Sequence, residues 1–177
     1  MNLVATGGGF LVAGPRRSGV SSTLRVLAVG AAAAGIRTLR VVVRPQPELS
    51  GVMDVDVSAG AGELFRALDN HDGPLVLVAD DLTDEHPAAD VLKAYLAAAG
   101  TGHHLLAGCR LDLAARSYRG LIAEVAAFRS GVLLQADAPD GAVLDAMLPR
   151  RRGPTRPGRG HLVMLGEVMP LQVSAPT

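Results

Sequence analysis

The residues with the clearest chemical potential lie between Phe10 and Thr23, FLVAGPRRSGVSST. A short apolar run, Phe10 to Ala13, opens into a turn bounded by Gly14 and Gly19. Ser21, Ser22 and Thr23 then lead into an alanine- and leucine-rich segment. The order strand, loop, helix start fits the phosphate-cradling spacing G-x-x-x-x-G-K-[ST]. In that loop backbone amides and a helix N-terminus hold the β-phosphate, a lysine reaches the γ-phosphate, and a hydroxyl binds Mg²⁺. Gly14 and Gly19 supply the glycines and Ser21 the hydroxyl, with Pro15, Arg16, Arg17, Ser18 and Ser22 completing the loop. Val20 stands where the lysine belongs.

A second stretch points to the same chemistry. Pro74 to Asp81, PLVLVADD, reads as a buried parallel strand whose C-terminal end presents two carboxylates, where open α/β sheets place their chemistry. Beside a phosphate loop, the first acid orients Mg²⁺ through water and the second polarises the attacking water. Those places fall to Asp80 and Asp81, with Ser21 and Asp80 as the metal-side pair.

The other segments must position these groups. Ser21 to Gly35 reads as a helix with a hydroxyl N-cap and a glycine stop. Thr38 to Arg44 follows as a β-branched strand, ended by Pro45 and Pro47. Val52 to Val57 alternates as a short edge strand, with Asp54 and Asp56 as solvated carboxylates. Gly60 to Asn70 and Pro87 to Ala99 read as helices, with Gly100 ending the second. His103 to Cys109 reads as another buried strand, and Arg110 follows it at once. The two histidines there point to opposite faces, which suits a structural role. Ala114 to Arg129 is a helical segment broken near Gly120, Gly131 to Gln135 a strand, and Asp140 to Met147 a short helix. Pro149 to Gly160, PRRRGPTRPGRG, reads as an irregular connecting loop. His161 to Val173 reads as a hairpin turning at Gly166-Glu167. Gly7, Gly8 and Gly9 precede a strand rather than follow one, so no dinucleotide fingerprint is formed. Strands alternating with helices predict an α/β fold, a mostly parallel sheet with helices on both faces.

Composition narrows the function classes. The 177 residues are 49% hydrophobic and 19% charged, with no tryptophan, which suits one globular domain with an aliphatic core. The formal net charge is zero, so a broad basic face for free nucleic acid is not indicated. All basic residues except Lys93 are arginines, a bias that fits the base composition of the source genome. One cysteine, Cys109, makes no intramolecular disulfide and suits a cytosolic setting. The longest apolar stretch, Val26 to Ile36, is too short to span a bilayer, and no signal-peptide pattern opens the chain.

Taken together, the motifs resemble the FtsK/SpoIIIE (HerA-type) motor ATPase domain. The likeness is greatest to the C-terminal ATPase modules of actinobacterial FtsK/SpoIIIE-domain and type VII (ESX) secretion proteins. LVAGPRRSGVSS, PLVLVADD, HLLAGCR and the closing PGRGHLVMLGEVMPLQV carry the resemblance. It implies a P-loop NTPase (RecA-like) three-layer αβα sandwich with a C-terminal β-hairpin, spanning residues 1 to 177 as one module of a longer chain. It implies ATP and Mg²⁺ as cofactors, with Ser21 on the metal, Asp80 and Asp81 at the hydrolytic centre and Arg110 as a sensor near the γ-phosphate. Its partners would be other ATPase modules or subunits, in a ring, and a small helical secreted protein, with DNA ranking behind. Its place would be the cytoplasm, reaching the membrane only through a parent protein.

Two departures stand out, Val20 for the lysine and Asp81 where glutamate is common. Losing a charge-assisted phosphate contact removes roughly 1.5 to 3 kcal/mol, about a 10- to 150-fold weakening. Losing a preorganised charge stabiliser typically costs on the order of 10²- to 10³-fold in rate. Arg16 and Arg17 occupy the outer bend, whereas the lysine stands at the first helical turn, so their geometry opposes substitution. Three readings follow: a degenerate module that binds nucleotide weakly or not at all; an ATPase in which an arginine replaces the lysine; and an interaction domain that uses no nucleotide.

Overall fold

The computed structural model describes residues 8–69, 73–98, 102–150 and 156–174. The expected stop at Gly100 and the middle of the arginine-rich loop lie outside these residues. Period-two patterning decides the layout. In β1 (Gly9–Gly14), Leu11 and Ala13 face one core while Phe10 and Val12 face the other. The same alternation runs through β4 (Leu75–Ala79) and β5 (His103–Arg110). Strands buried on both faces need helices on both sides. One face packs on α1 (Val20–Ala33) through Leu24, Ala28 and Ala31. The other takes α2 (Gly62–Asp69), α3 (Ala89–Ala97), α4 (Leu111–Ala114) and α5 (Leu121–Ala126).

With β2 (Arg37–Val42), β3 (Val52–Asp56), β6 (Ser130–Leu134), β7 (Arg159–Met164) and β8 (Glu167–Gln172), the described residues form one eight-stranded sheet. Its order is β3-β2-β4-β5-β1-β6-β7-β8. All pairs up to β6 are parallel, and only β6–β7 and β7–β8 are antiparallel. This is the expected αβα sandwich with its closing hairpin. The hairpin turn falls at Leu165 and Gly166, both with positive φ, one residue before the expected place.

Some local readings are corrected. The N-cap of α1 is Gly19, with φ 105° and no side-chain cap, instead of a hydroxyl. The helix closes as expected at Gly35, whose amide donates to Ala32 O while the Ile36 amide donates to Ala31 O. The helix expected at Asp140 to Met147 is a 3₁₀ helix, Ala138–Leu144, closed at its start by a capping box between Asp137 and Asp140. Asp56 is exposed, but Asp54 is the bidentate partner of the buried Arg40 (2.7 and 2.6 Å).

The buried histidines should make the stability of the fold depend on pH. His103 donates through Nε2–H to Gly73 O (2.9 Å), and its ring stands edge-on to Tyr95 of α3. His104 is buried on the opposite face. Burial holds His86, His104 and His161 below the ordinary imidazole value of 6.5, with the Asp81 charge opposing this at His86. Between the lowered values and 6.5 the unfolded chain binds more protons, so stability rises with pH there and falls on acidification below 6.5. The urea midpoint should therefore be lower at about pH 5.5 than at about pH 7.5, and His104→Gln should remove part of that difference. Equal midpoints would contradict burial as the cause.

Candidate functional site: a phosphate-type loop at the carboxyl edge of the sheet

The sequence-predicted residues converge on the carboxyl edge of the parallel strands. Gly14 ends β1, Asp80 follows β4 directly, and Arg110 ends β5 opposite Gly14. Strand β5 lies between β1 and β4, so the loop and the acids are one strand apart. Alternation places Val76, Val78 and then Asp80 on the face covered by α1.

The loop itself is formed. Arg17 and Gly19 have positive φ, 63° and 105°, on either side of Ser18. Such alternation turns successive amides toward one concavity, the nest that suits an anion. Ser18 N–H donates to Pro15 O (3.1 Å), closing the bend, and Thr23 N–H reaches Gly19 O (2.8 Å), starting the helix. Because Gly19 brings no side-chain cap, the first amides of α1 have no cap from that source. Ser18 is 1% exposed, and its Oγ has no partner among the described residues; the same is true of Thr23 Oγ1. Pro15, Arg16, Arg17 and Ser21 are exposed, while Val20 and Ser22 are half-buried.

Ser21 and Asp80 face one space. Both line one small cleft of about 10 Å³, with Leu24, Arg25, Arg40 and Val78 among its walls. A hydroxyl and a carboxylate on one cleft beside an anion nest are the donor types that suit Mg²⁺ with a phosphate. Gly108 of β5 permits this closeness. A Cβ there would lie 2.4 Å from Leu24 Cδ1, 2.7 Å from Asp80 Oδ1 and 3.1 Å from Val20 Cγ1. Thus Val20 and Asp80 crowd onto the same glycine. Sequence reasoning passed over Gly108; its signal was a glycine inside an otherwise apolar strand.

Asp81 is exposed with φ 55°, a conformation aspartate tolerates better than most residues, and its amide donates to Asp80 Oδ1 (2.8 Å). The two acids are therefore distinct: Asp80 turns toward the cleft, and Asp81 stands outside it. Arg110 is engaged within the chain, in a bidentate pair with Asp112 at 2.9 and 2.5 Å. That contact leads the causes that hold the Asp112 carboxyl below its ordinary range. Cys109, between Gly108 and Arg110, is buried and its thiol is pushed up to about 12, first by burial and then by Asp80 and Asp112, which makes it inert.

The architecture matches solved structures over nearly the whole chain. The cytoplasmic domain of EssC aligns with a TM-score of 0.67 at 15% identity, covering 94% of this chain and 39% of that one. ATPases 2 and 3 of EssC from Geobacillus thermodenitrificans align with 0.66 at 16% identity, covering 93% and 36%. The chain has the fold of the EssC and EccC ATPases. The EccC case is ATPases 2 and 3 from Thermomonospora curvata, in complex with a signal sequence peptide, with a TM-score of 0.61, 18% identity and coverage of 95% and 37%. Identities this low establish a shared fold, and the chain spans less than two fifths of each of these proteins. By sequence, the chain matches no family model and no curated protein. Among its described residues no helix is long and apolar enough to cross a membrane.

Proposed function

We propose that the chain is a degenerate P-loop ATPase module of an FtsK/SpoIIIE-type secretion or translocation motor. In this reading it binds nucleotide weakly or not at all and serves assembly, regulation or substrate docking. The observation that carries it is Val20. The loop has its glycines, its nest and its Ser21, yet the position that needs a cation holds a valine packed against the apolar cluster on the α1 side. The residues suit ATP and Mg²⁺: the loop amides and the α1 N-terminus would hold phosphate, Ser21 and Asp80 the metal, and Asp81 and Arg110 would flank the reacting end. Bound Mg²⁺ would supply charge neutralisation at the phosphates. The EssC and EccC likeness supports an ATPase-like domain that works with other ATPase modules; in this reading residues 1 to 177 are one module of a longer chain, assembled in a ring on the cytoplasmic side. The signal sequence peptide on the EccC structure supports a secreted protein as the parent motor's substrate, which this reading takes to be small and helical and ranks ahead of DNA.

A phosphate-release assay tests this directly: turnover should be negligible beside that of an ordinary P-loop ATPase. Ordinary turnover that is lost in Asp81→Asn would overturn the reading in favour of an active motor domain with Arg16 or Arg17 replacing the lysine.

A further inference from the structure

The end of the arginine-rich segment is seated on the phosphate loop. Residues Arg156 to Arg159, RPGR, form a β-turn in which the Arg159 amide donates to Arg156 O (3.1 Å). Proline at its second position and Gly158, with φ 79°, at its third make it type II. The Gly158 amide then donates to Ser18 O at 2.7 Å, tying the turn to the loop between its two glycines. The approach is close: a Cβ on Gly19 would lie 3.2 Å from Gly158 N, and one on Gly158 would lie 2.4 Å from Val173 O.

The seat is rigid. Gly158 O accepts from the Val173 amide (2.8 Å), Arg159 O accepts from the Gln135 amide (2.9 Å), and Gln172 Nε2 donates to Pro157 O (3.0 Å). The turn is therefore fixed between β6, the hairpin and the loop, and proline limits its freedom further. Its two ends, Arg156 and Arg159, have Cα atoms within about 7 Å of each other by the geometry of such a turn. Both arginines are exposed, as are Arg16 and Arg17 on the loop. In a chain of zero net charge, a turn with two exposed arginines is thus tied to a loop that carries two more, while Asp80 and Asp81 follow β4, on the far side of β5. Inside the loop, Ser18 Oγ is buried without a partner.

Resting on the reading of this loop as a retained phosphate scaffold, we infer that the Arg156–Arg159 turn is the second arm of the site. Its guanidinium groups supply to the phosphate chain of a nucleoside polyphosphate the positive charge that Val20 does not. A charge delivered from a fixed turn needs no cation at the first turn of α1, and a guanidinium matches phosphate oxygens two at a time.

The test is calorimetric titration of the whole chain with ATP and with inorganic tripolyphosphate, each with and without Mg²⁺. The double variant Arg156→Ala/Arg159→Ala is compared with Arg66→Ala/Lys93→Ala, which removes the same charge from α2 and α3, in the helix layer away from α1. Loss of the turn's arginines should weaken both ligands by roughly ten- to a hundredfold, while the comparison pair binds like the native chain. Arg156→Lys/Arg159→Lys should recover part of the loss. If both alanine pairs bind alike, the inference falls and the loop alone is the phosphate site. If the native chain binds neither ligand at millimolar concentration, the inference also falls, while a non-hydrolysing module stands.

Discussion

Replacing Val20 with lysine should tighten ATP binding by about 10- to 150-fold, the value of one charge-assisted phosphate contact. Turnover should rise by on the order of 10²- to 10³-fold if the remaining machinery is competent. The site can accept the change. Val20 is the first residue of α1 and only half-buried, so a lysine stem can follow the wall toward Leu24 and leave its ammonium at the mouth of the loop. Val20 packs on the apolar cluster by Gly108, and the methylenes of a lysine can keep part of that contact, so the loss of thermal stability should be modest. Titration calorimetry and phosphate release measure the two effects separately. A gain in affinity without turnover would locate the remaining defect in Arg110, which Asp112 holds, or in the short carboxylate Asp81. No gain in either would sink the view that Val20 is what disables the loop, and would fit a site whose charge the Arg156–Arg159 turn already supplies.

The fold was legible because its strands are buried on both faces and its helices are punctuated. PLVLVADD and HHLLAGCR read as parallel strands from apolar runs of strand length, and the order of strands and helices then leaves few topologies. Boundaries drifted where local chemistry is ambiguous. Ser21, Ser22 and Thr23 look like caps, yet the loop's left-handed Gly19 takes the cap position because the backbone must enter the helix from an anion nest. The short helix expected at Asp140 to Met147 starts two residues earlier, at Ala138, where the Asp137–Asp140 capping box and a proline at the second position set its beginning.

Much of the site was legible from Gly14, Gly19, Ser21 and the acids, since each lies at a strand end fixed by hydrophobic pattern. What stayed hidden depends on contacts distant in sequence or on a choice among exposed partners. Nothing near Gly158 announces that its amide will meet Ser18 O, 140 residues earlier, because the meeting needs β6 and β7 to be paired first. Nor does the segment around Arg110 announce that Asp112, two residues on, will hold its guanidinium, since both lie on the exposed carboxyl edge where other partners are available.

Arg40 illustrates the same limit and carries the largest expected effect on stability. It sits on β2 facing the α1 layer at 4% exposure, in a strand whose sequence suggests only apolar burial. Its guanidinium is held by both Asp54 oxygens and by Pro47 O at 2.8 Å. Asp54→Ala removes the countercharge and strands the cation in the cleft that Ser21 and Asp80 also line. Breaking a buried pair from one side costs about 3 to 5 kcal/mol, and the partial exposure of Asp54 puts this case at about 3 kcal/mol. Urea unfolding should show it as a lower midpoint with an unchanged slope. The cost is mostly that of an orphaned charge, so Arg40→Met/Asp54→Leu, which removes both ends, should be far milder than Asp54→Ala alone. A double variant at least as damaging as the single one would mean that the pair itself, rather than the penalty of splitting it, holds β3 on the sheet. An Asp54→Ala chain as stable as the native one would mean that water already screens Arg40, despite its burial.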